Sequence, residues 1–422
     1  MRLHAGHGAD AVHGALMGVL ANRGLLAGLL LLALALRIGA LWLWGGAPPE
    51  KDALEYHSIA MNMLSGFGYS IQADVPTSLR PPVYPTFLAA VYSLFGPEYR
   101  HVLYVQALMH ALLVLPLYWL GKRLSGSSVV GLLAAALFAV HPSFEIISRL
   151  YAENLLVPLL LLFLFLMQQA MSAERHGLIY ALGAGLTVGL MGLTKPEYGL
   201  LGLGCLLLAL LWSESRRYWG RWLAVTLISV CMLGAWQVRN INIDVSQDHQ
   251  LAREAFVFAN CPAMIGDGWW SVTDMQELER QRTACHAYLD TQPMAEQSMS
   301  VKEMWFDRPW LMTKLVLSRV MILWASPPVG ISQITDISVG LKWLAILAQF
   351  AFVGLAFAAL LRLVPVRPEL FSFLAVAVYM TIVYGLLHAI RRYGYPFVPE
   401  LCLMFSYGLL MLYEKWKNRK GA

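Results

Sequence analysis

Residues 25–56 read LLAGLLLLALALRIGALWLWGGAPPEKDALEY. The first part, Leu25 to Trp44, is an apolar run long enough to cross a bilayer core, which takes about 20 residues. A few residues later come Asp52 and Glu55. On a helix, Asp52, Glu55 and Tyr56 share one face at i, i+3 and i+4. A group of acids at the mouth of an apolar bundle is costly to keep without a use. Two readings stay open from these residues alone: a lid helix with solvated charges, or a carboxylate held ready for chemistry.

The rest of the chain repeats the apolar pattern. Of 422 residues, 58% are hydrophobic and 14% charged, against about 25% charged in soluble domains. The expected fold is an all-α integral membrane bundle of about ten transmembrane helices with outer-face loops and interfacial helices. The spans fall roughly at 25–45, 101–121, 128–142, 152–171, 177–194, 197–213, 220–238, 341–361, 370–388 and 396–413. Residues 82–95 are too short and Pro-rich to cross, and 310–324 carries Lys314 and Arg319. Both are therefore placed along the surface. Short basic loops mark the cytoplasmic side. Lys122, Arg123, Arg175, Arg216, Arg217, Arg221, Arg362, Arg367 and the basic C-terminal tail share one side. Both termini are then cytoplasmic, and Asp52, Glu55 and Glu153 lie outside, as in a bacterial inner membrane. The divisions are a cytoplasmic N-terminus (1–24), a seven-helix module (25–240) with a first outer loop (46–100), a large outer loop with an interfacial helix (241–340), and a three-helix module with a basic tail (341–422). No signal-peptide cleavage pattern follows the first 24 residues. No nucleic-acid partner is implied. Cys261 and Cys285 sit in the polar loop and pair only if it is extracytoplasmic.

Several other residues stand out, each beside an ordinary alternative. Glu153 opens the fourth span, where a helix N-terminus favours an acid anyway. Lys195 and Glu197 flank Pro196 in a tight turn and read as an interfacial ion pair of little worth. Arg239 ends the seventh span, where snorkelling is common. Arg80 precedes Pro81 and Pro82. Arg391, Arg392 and Tyr393 begin the last span from the outer side, against the positive-inside trend. Lipid headgroups or a phosphate ligand would suit those arginines. Arg37, inside the first span, is a snorkelling residue or an acid's partner. His57, His141 and His388 lie near the outer face, but no two His have i, i+4 spacing. A divalent metal is kept only as an alternative, and no cofactor is required.

At these residues the chain resembles the GT-C glycosyltransferase superfamily, and is most similar to the bacterial aminoarabinose and mannosyl transferase branch. The resemblance rests on Asp52 to Tyr56, Arg80-Pro81-Pro82…Tyr84-Pro85, Pro142…Glu153, Gly189…Leu193-Thr194-Lys195-Pro196, Trp236…Arg239-Asn240 and Arg392-Tyr393…Pro396…Pro399. It departs at Lys195, where the family often has Arg, and at Ala235, where it has Pro. Asp52 and Glu55 are also spaced where some members carry paired acids. The resemblance implies a polyprenyl-phosphate-linked sugar donor, a lipid, glycan or protein acceptor, and inverting transfer. It implies Asp52 as general base with Glu153 beside it, and Arg80, Arg391 and Arg392 on the donor phosphate. Glu55, Tyr56, Lys195, Arg239 and Tyr393 become substrate-binding candidates. Other function classes remain: a lipid-linked sugar flippase, or a non-catalytic envelope assembly protein. No matched halves of an inverted-repeat transporter are visible.

Overall fold

The computed structural model describes residues 23–44, 48–142, 144–243, 303, 305–307, 309–326 and 339–421. Cys261, Cys285 and most of the 241–310 loop lie outside these residues. Helix α1 (Arg23–Trp44) is apolar on all sides, and Leu31, Trp42 and Leu43 stay exposed on it, as lipid-facing residues would. Arg37 neither snorkels nor meets an acid. It is 1% exposed, and its Nη1 and Nη2 donate to the carbonyls of Ala139 (3.2 Å) and Phe138 (3.2 Å). Those carbonyls close α6 (Ser128–Val140), where a helix lacks internal donors.

Helix α2 (Asp52–Leu64) buries Ala53, Tyr56, Ile59 and Ala60 along one stripe and has Asp52 and Glu55 in its first turn. Gly66, at φ 85°, ends it, a backbone conformation glycine takes without strain. A small antiparallel hairpin follows, β1 (Ser70–Gln72) with β2 (Val75–Pro76). The Asn62 side-chain amide donates to the carbonyls of Ser70 and Ile71 and ties the hairpin to α2. Helix α3 (Val83–Phe95) starts behind Pro82 and packs on α2 and on α4 (Tyr99–Leu112). Helix α5 (Val114–Ser125) continues α4 after a break. Pro116 explains the break, since its ring clashes with the carbonyl four residues back.

A short α7 (Phe144–Ile147) leads to α8 (Glu153–Ser172), α9 (Gly177–Gly192) and α10 (Leu201–Leu211). After the one-turn α11 (Ser213–Arg216) comes α12 (Trp219–Ile241). Helices α9 and α12 lie close because Gly185 and Gly189 leave no side chain between them. A Cβ on Gly185 would sit 2.8 Å from Ile228 Cβ. The C-terminal helices are α13 (Pro309–Ala325), α14 (Val339–Leu363), α15 (Phe371–Leu386) and α16 (Val398–Gly421). A 3-10 segment, Arg391–Phe397, precedes α16, which folds back onto α6 and α14.

Among the described residues, seven helices are long and apolar enough to cross a membrane. Three shorter ones, Ser128–Val140, Gly177–Gly192 and Pro196–Leu211, coincide with the remaining expected spans. The chain is a multi-pass membrane protein. Helix α13 differs from expectation in one respect: Arg319 is not a solvated surface charge. It is 3% exposed, and its Nη1 donates to the carbonyls of Gly385 and Leu386 at the end of α15.

Candidate active site

Five loops or helix starts meet at one end of the bundle. Asp52 opens α2, Arg80 precedes α3, Glu153 opens α8 and Lys195 follows α9; Arg392 arrives from the segment before α16. Their charges alternate along a chain of contacts. Lys195 Nζ is 2.8 Å from Glu153 Oε1, and Arg392 Nε is 3.2 Å from the same oxygen. The second is an ion-pair contact without hydrogen-bond alignment. Arg392 Nη2 donates to Asp52 Oδ2. Arg80 Nη2 donates to Asp52 Oδ1 at 2.8 Å, and Arg80 Nε donates to Glu55 Oε2 at 2.5 Å. Side-chain exposure runs from 2% at Glu153 and 10% at Lys195 to 17% at Arg392 and 34% at Asp52. The chain therefore leads from a dry interior to an open mouth, with Asp52 and Glu55 at the open end.

Aromatic rings frame the cations. Lys195 Nζ sits 3.2 Å over the Tyr393 ring, and the Arg392 guanidinium is 4.2 Å from the centre of Tyr151. Arg80 lies 5.3 Å over Tyr56. Tyr56 is buried edge-on against Tyr84, which donates to Gln106 Oε1 at 2.7 Å. Such cation–ring contacts orient guanidiniums in partly dry surroundings.

Burial alone would raise the Asp52 carboxyl, but Arg80 and Arg392 outweigh it and hold it below the usual aspartate range. Burial opposes the Lys195 charge as well, and Glu153 and Tyr393 reverse this, so its ammonium is held above the usual range. Burial pushes the Tyr56 phenol up to about 12. His388 is edge-on to Tyr393 at 6.0 Å. Burial, then Arg319, Lys195 and Arg392, push its imidazole down to about 4, so it is neutral.

The cluster thus unites Asp52, Glu55, Tyr56, Arg80, Glu153, Lys195, Arg392 and Tyr393. Arg391 is the chain neighbour of Arg392. Arg239 lies elsewhere. Its Nη1 donates to the Thr77 carbonyl at 2.6 Å, and its guanidinium lies 4.7 Å from the Trp236 ring and 5.3 Å from the Tyr69 ring. It clamps the chain around the hairpin, and touches Tyr69, whose hydroxyl donates to the Arg80 carbonyl. Lys195 pairs with Glu153 rather than with its sequence neighbour Glu197. Tyr151 was not anticipated; its place two residues before Glu153 was the available signal. Among the described residues, no group of three His, Cys, Asp or Glu converges as a metal site would. The acids do not fit a divalent cation, because the guanidiniums already occupy the positions between them.

The fold is similar to that of a solved oligosaccharyltransferase, and part of the chain matches a mannosyltransferase family model. Residues 79–238 match the family model of the dolichyl-phosphate-mannose-protein mannosyltransferases. The oligosaccharyltransferase of Archaeoglobus fulgidus, in its apo form, superposes with a TM-score of 0.53 at 14% identity, over 94% of this chain and 51% of that one. The chain spans about half the length of those archaeal chains. A structure of the archaeal enzyme AglB with an inhibitory peptide and a dolichol-phosphate gives 0.49 at 13% identity, covering 94% of this chain and 51% of that one. ArnT from Cupriavidus metallidurans, bound to undecaprenyl phosphate, gives 0.45 at 15% identity, covering 92% and 78%. No curated protein matches the sequence significantly.

Proposed function

We propose that the chain transfers a sugar from a polyprenyl-phosphate donor to an acceptor hydroxyl or amine, with inversion. The site lies on the outer face of the cytoplasmic membrane. The observation that carries this reading is Asp52 at the open end of the cluster, gripped by two arginines. The acceptor oxygen or nitrogen bonds to the anomeric carbon as the carbon–oxygen bond to phosphate breaks. The electron pair leaves with the phosphate oxygen, and the acceptor's proton passes to Asp52. A phosphate leaves without a general acid, so it needs cations more than protons. Arg80 and Arg392 supply them, in a fork geometry that suits phosphate oxygens. Glu153, itself paired with Lys195, holds Arg392 from behind. Attack opposite the phosphate inverts the anomeric centre, as in inverting hydrolases. The basic residues Lys122, Arg123, Arg216 and Arg367 fall at loops opposite the cluster in chain connectivity, which supports its outer placement.

The test uses purified protein in liposomes with a radiolabelled polyprenyl-phosphate sugar and an envelope extract as acceptor. The expected result is transfer that falls by about 10²–10⁴-fold in Asp52→Asn, the usual worth of a general base. Transfer at the wild-type rate in that variant would refute the base. Movement of the lipid between leaflets without transfer would identify a flippase instead.

A further inference from the structure

Each of the two arginines on Asp52 is held twice. Arg80 gives its Nε to Glu55 and its Nη2 to Asp52. Arg392 sets its Nε against Glu153 and gives its Nη2 to Asp52. In both, the Nε edge is anchored by one acid while an outer nitrogen reaches Asp52; the anchor Glu55, at 32%, is as open as Asp52, whereas the anchor Glu153 is buried. Glu153 is 2% exposed and Asp52 34%. The anchors fix each guanidinium in place and leave its outer edge as the part that can change partner.

The charges of the set balance. Arg80, Arg392 and Lys195 are cations, and Asp52, Glu55 and Glu153 are carboxylates. A donor phosphodiester brings one negative charge to a set with no surplus positive charge. Arg80 and Arg392 can turn to it if Asp52 yields its share; Asp52 is one of the two open acids of the set and the one that both guanidiniums reach.

We propose that Asp52 and the donor phosphate share the outer edges of Arg80 and Arg392, so that phosphate binding frees the base and proton capture by Asp52 secures the product phosphate. This rests on the transferase reading above. Before transfer the set is neutral and the phosphodiester carries one negative charge. The acceptor–carbon bond forms, the carbon–oxygen bond to phosphate breaks, and the proton goes to a carboxylate oxygen of Asp52. The set now has one net positive charge and the phosphomonoester carries two negative charges. Total charge is unchanged, and one negative charge has moved from Asp52 to phosphate between the same two guanidiniums. Little else needs to reorganise, which is how preorganised sites act on developing charge.

A neutral side chain at position 52 should imitate the protonated state. Binding of farnesyl phosphate to purified protein in nanodiscs is measured by calorimetry for wild type, Asp52→Asn and Asp52→Ser. Asp74→Asn, in the hairpin turn, serves as the charge control. The expected result is binding at least ~10-fold tighter in Asp52→Asn, since a like charge a few ångströms away weakens it by that much or more. Asp74→Asn should bind as wild type does. Equal or weaker binding in a folded Asp52→Asn or Asp52→Ser protein overturns the sharing, because Asp52 would then only brace the arginines. The two readings fail separately. Lost transfer without tighter binding refutes sharing and leaves the base. Tighter binding with transfer intact refutes the base and leaves sharing. An equal gain in Asp74→Asn makes the effect one of general charge and also overturns the proposal.

Discussion

Replacing Lys195 by Met tests whether the buried end of the charge chain supports the fold. Lys195 and Glu153 are 10% and 2% exposed and 2.8 Å apart. At an effective dielectric of ~20 their attraction is ~6 kcal/mol gross. Most of it offsets the cost of removing both charges from water, several kcal/mol per ion. Truncating one partner is a different matter, because the other charge stays buried without it. Measured losses of that kind run at ~3–5 kcal/mol. Arg392, 3.2 Å from the same oxygen, keeps Glu153 partly compensated, which favours the low end, ~3 kcal/mol. Met matches the length of the side chain but loses the cation over the Tyr393 ring. Denaturant titration in mixed micelles, followed by tryptophan fluorescence, measures the loss. The cycle with Glu153→Gln isolates the pair. The double variant should be more stable than the summed single losses predict, by ~2 kcal/mol, within the range for groups in contact. A Lys195→Met protein within ~0.5 kcal/mol of wild type, the scatter of independent sites, would refute the reasoning. So would single losses that simply add.

Two further outcomes follow from groups around the cluster. Arg239→Met should speed amide exchange at Thr77 and in the Ser70–Pro76 hairpin while changing farnesyl phosphate affinity less than ~2-fold, since Arg239 donates to the Thr77 carbonyl; a ~10-fold weaker affinity, about 1.4 kcal/mol, would place it on the phosphate. His388 and His141 should make stability fall with acidification. Burial holds both down to about 4, with cations adding to it, whereas an unfolded chain titrates near ~6.5. Between those values the unfolded chain binds protons that the folded one refuses, so stability declines as pH drops from about 6.5 and levels off near 4. His388→Gln should flatten that slope when melting is followed across pH, and an unchanged slope would contradict the burial of its imidazole.

The apolar run of α1, the first-turn acids of α2 and the glycine stop at Gly66 are local features, and they were legible in the sequence. The positions of Glu153, Lys195 and Arg392 at helix ends were legible for the same reason. Their pairing was not. Lys195 lies two residues from Glu197, so spacing favoured that pair, yet its ammonium meets Glu153 from a helix 42 residues away. Arg37 and Arg319 were read through what lone arginines do at membrane surfaces. Both instead close the carbonyl end of a neighbouring helix, which no window of sequence contains. The Ser70–Pro76 hairpin has strands of three and two residues, too short for alternation to register. Arg239 kept its place at the end of α12, but its partner at Thr77 is 162 residues away.

Arg392 belongs to the C-terminal helices, whereas every other charged member of the cluster precedes α10. The earlier part of the chain brings Arg80 and Lys195 against Asp52, Glu55 and Glu153, and so carries an uncompensated negative charge at its mouth. Arg392 supplies the missing one from beyond the segment, residues 79–238, that matches the family model. A chimera that grafts different terminal helices onto this chain must therefore deliver a guanidinium to the same spot. A graft without it would leave Asp52 and Glu153 facing each other across an empty seat, however well its apolar surfaces packed.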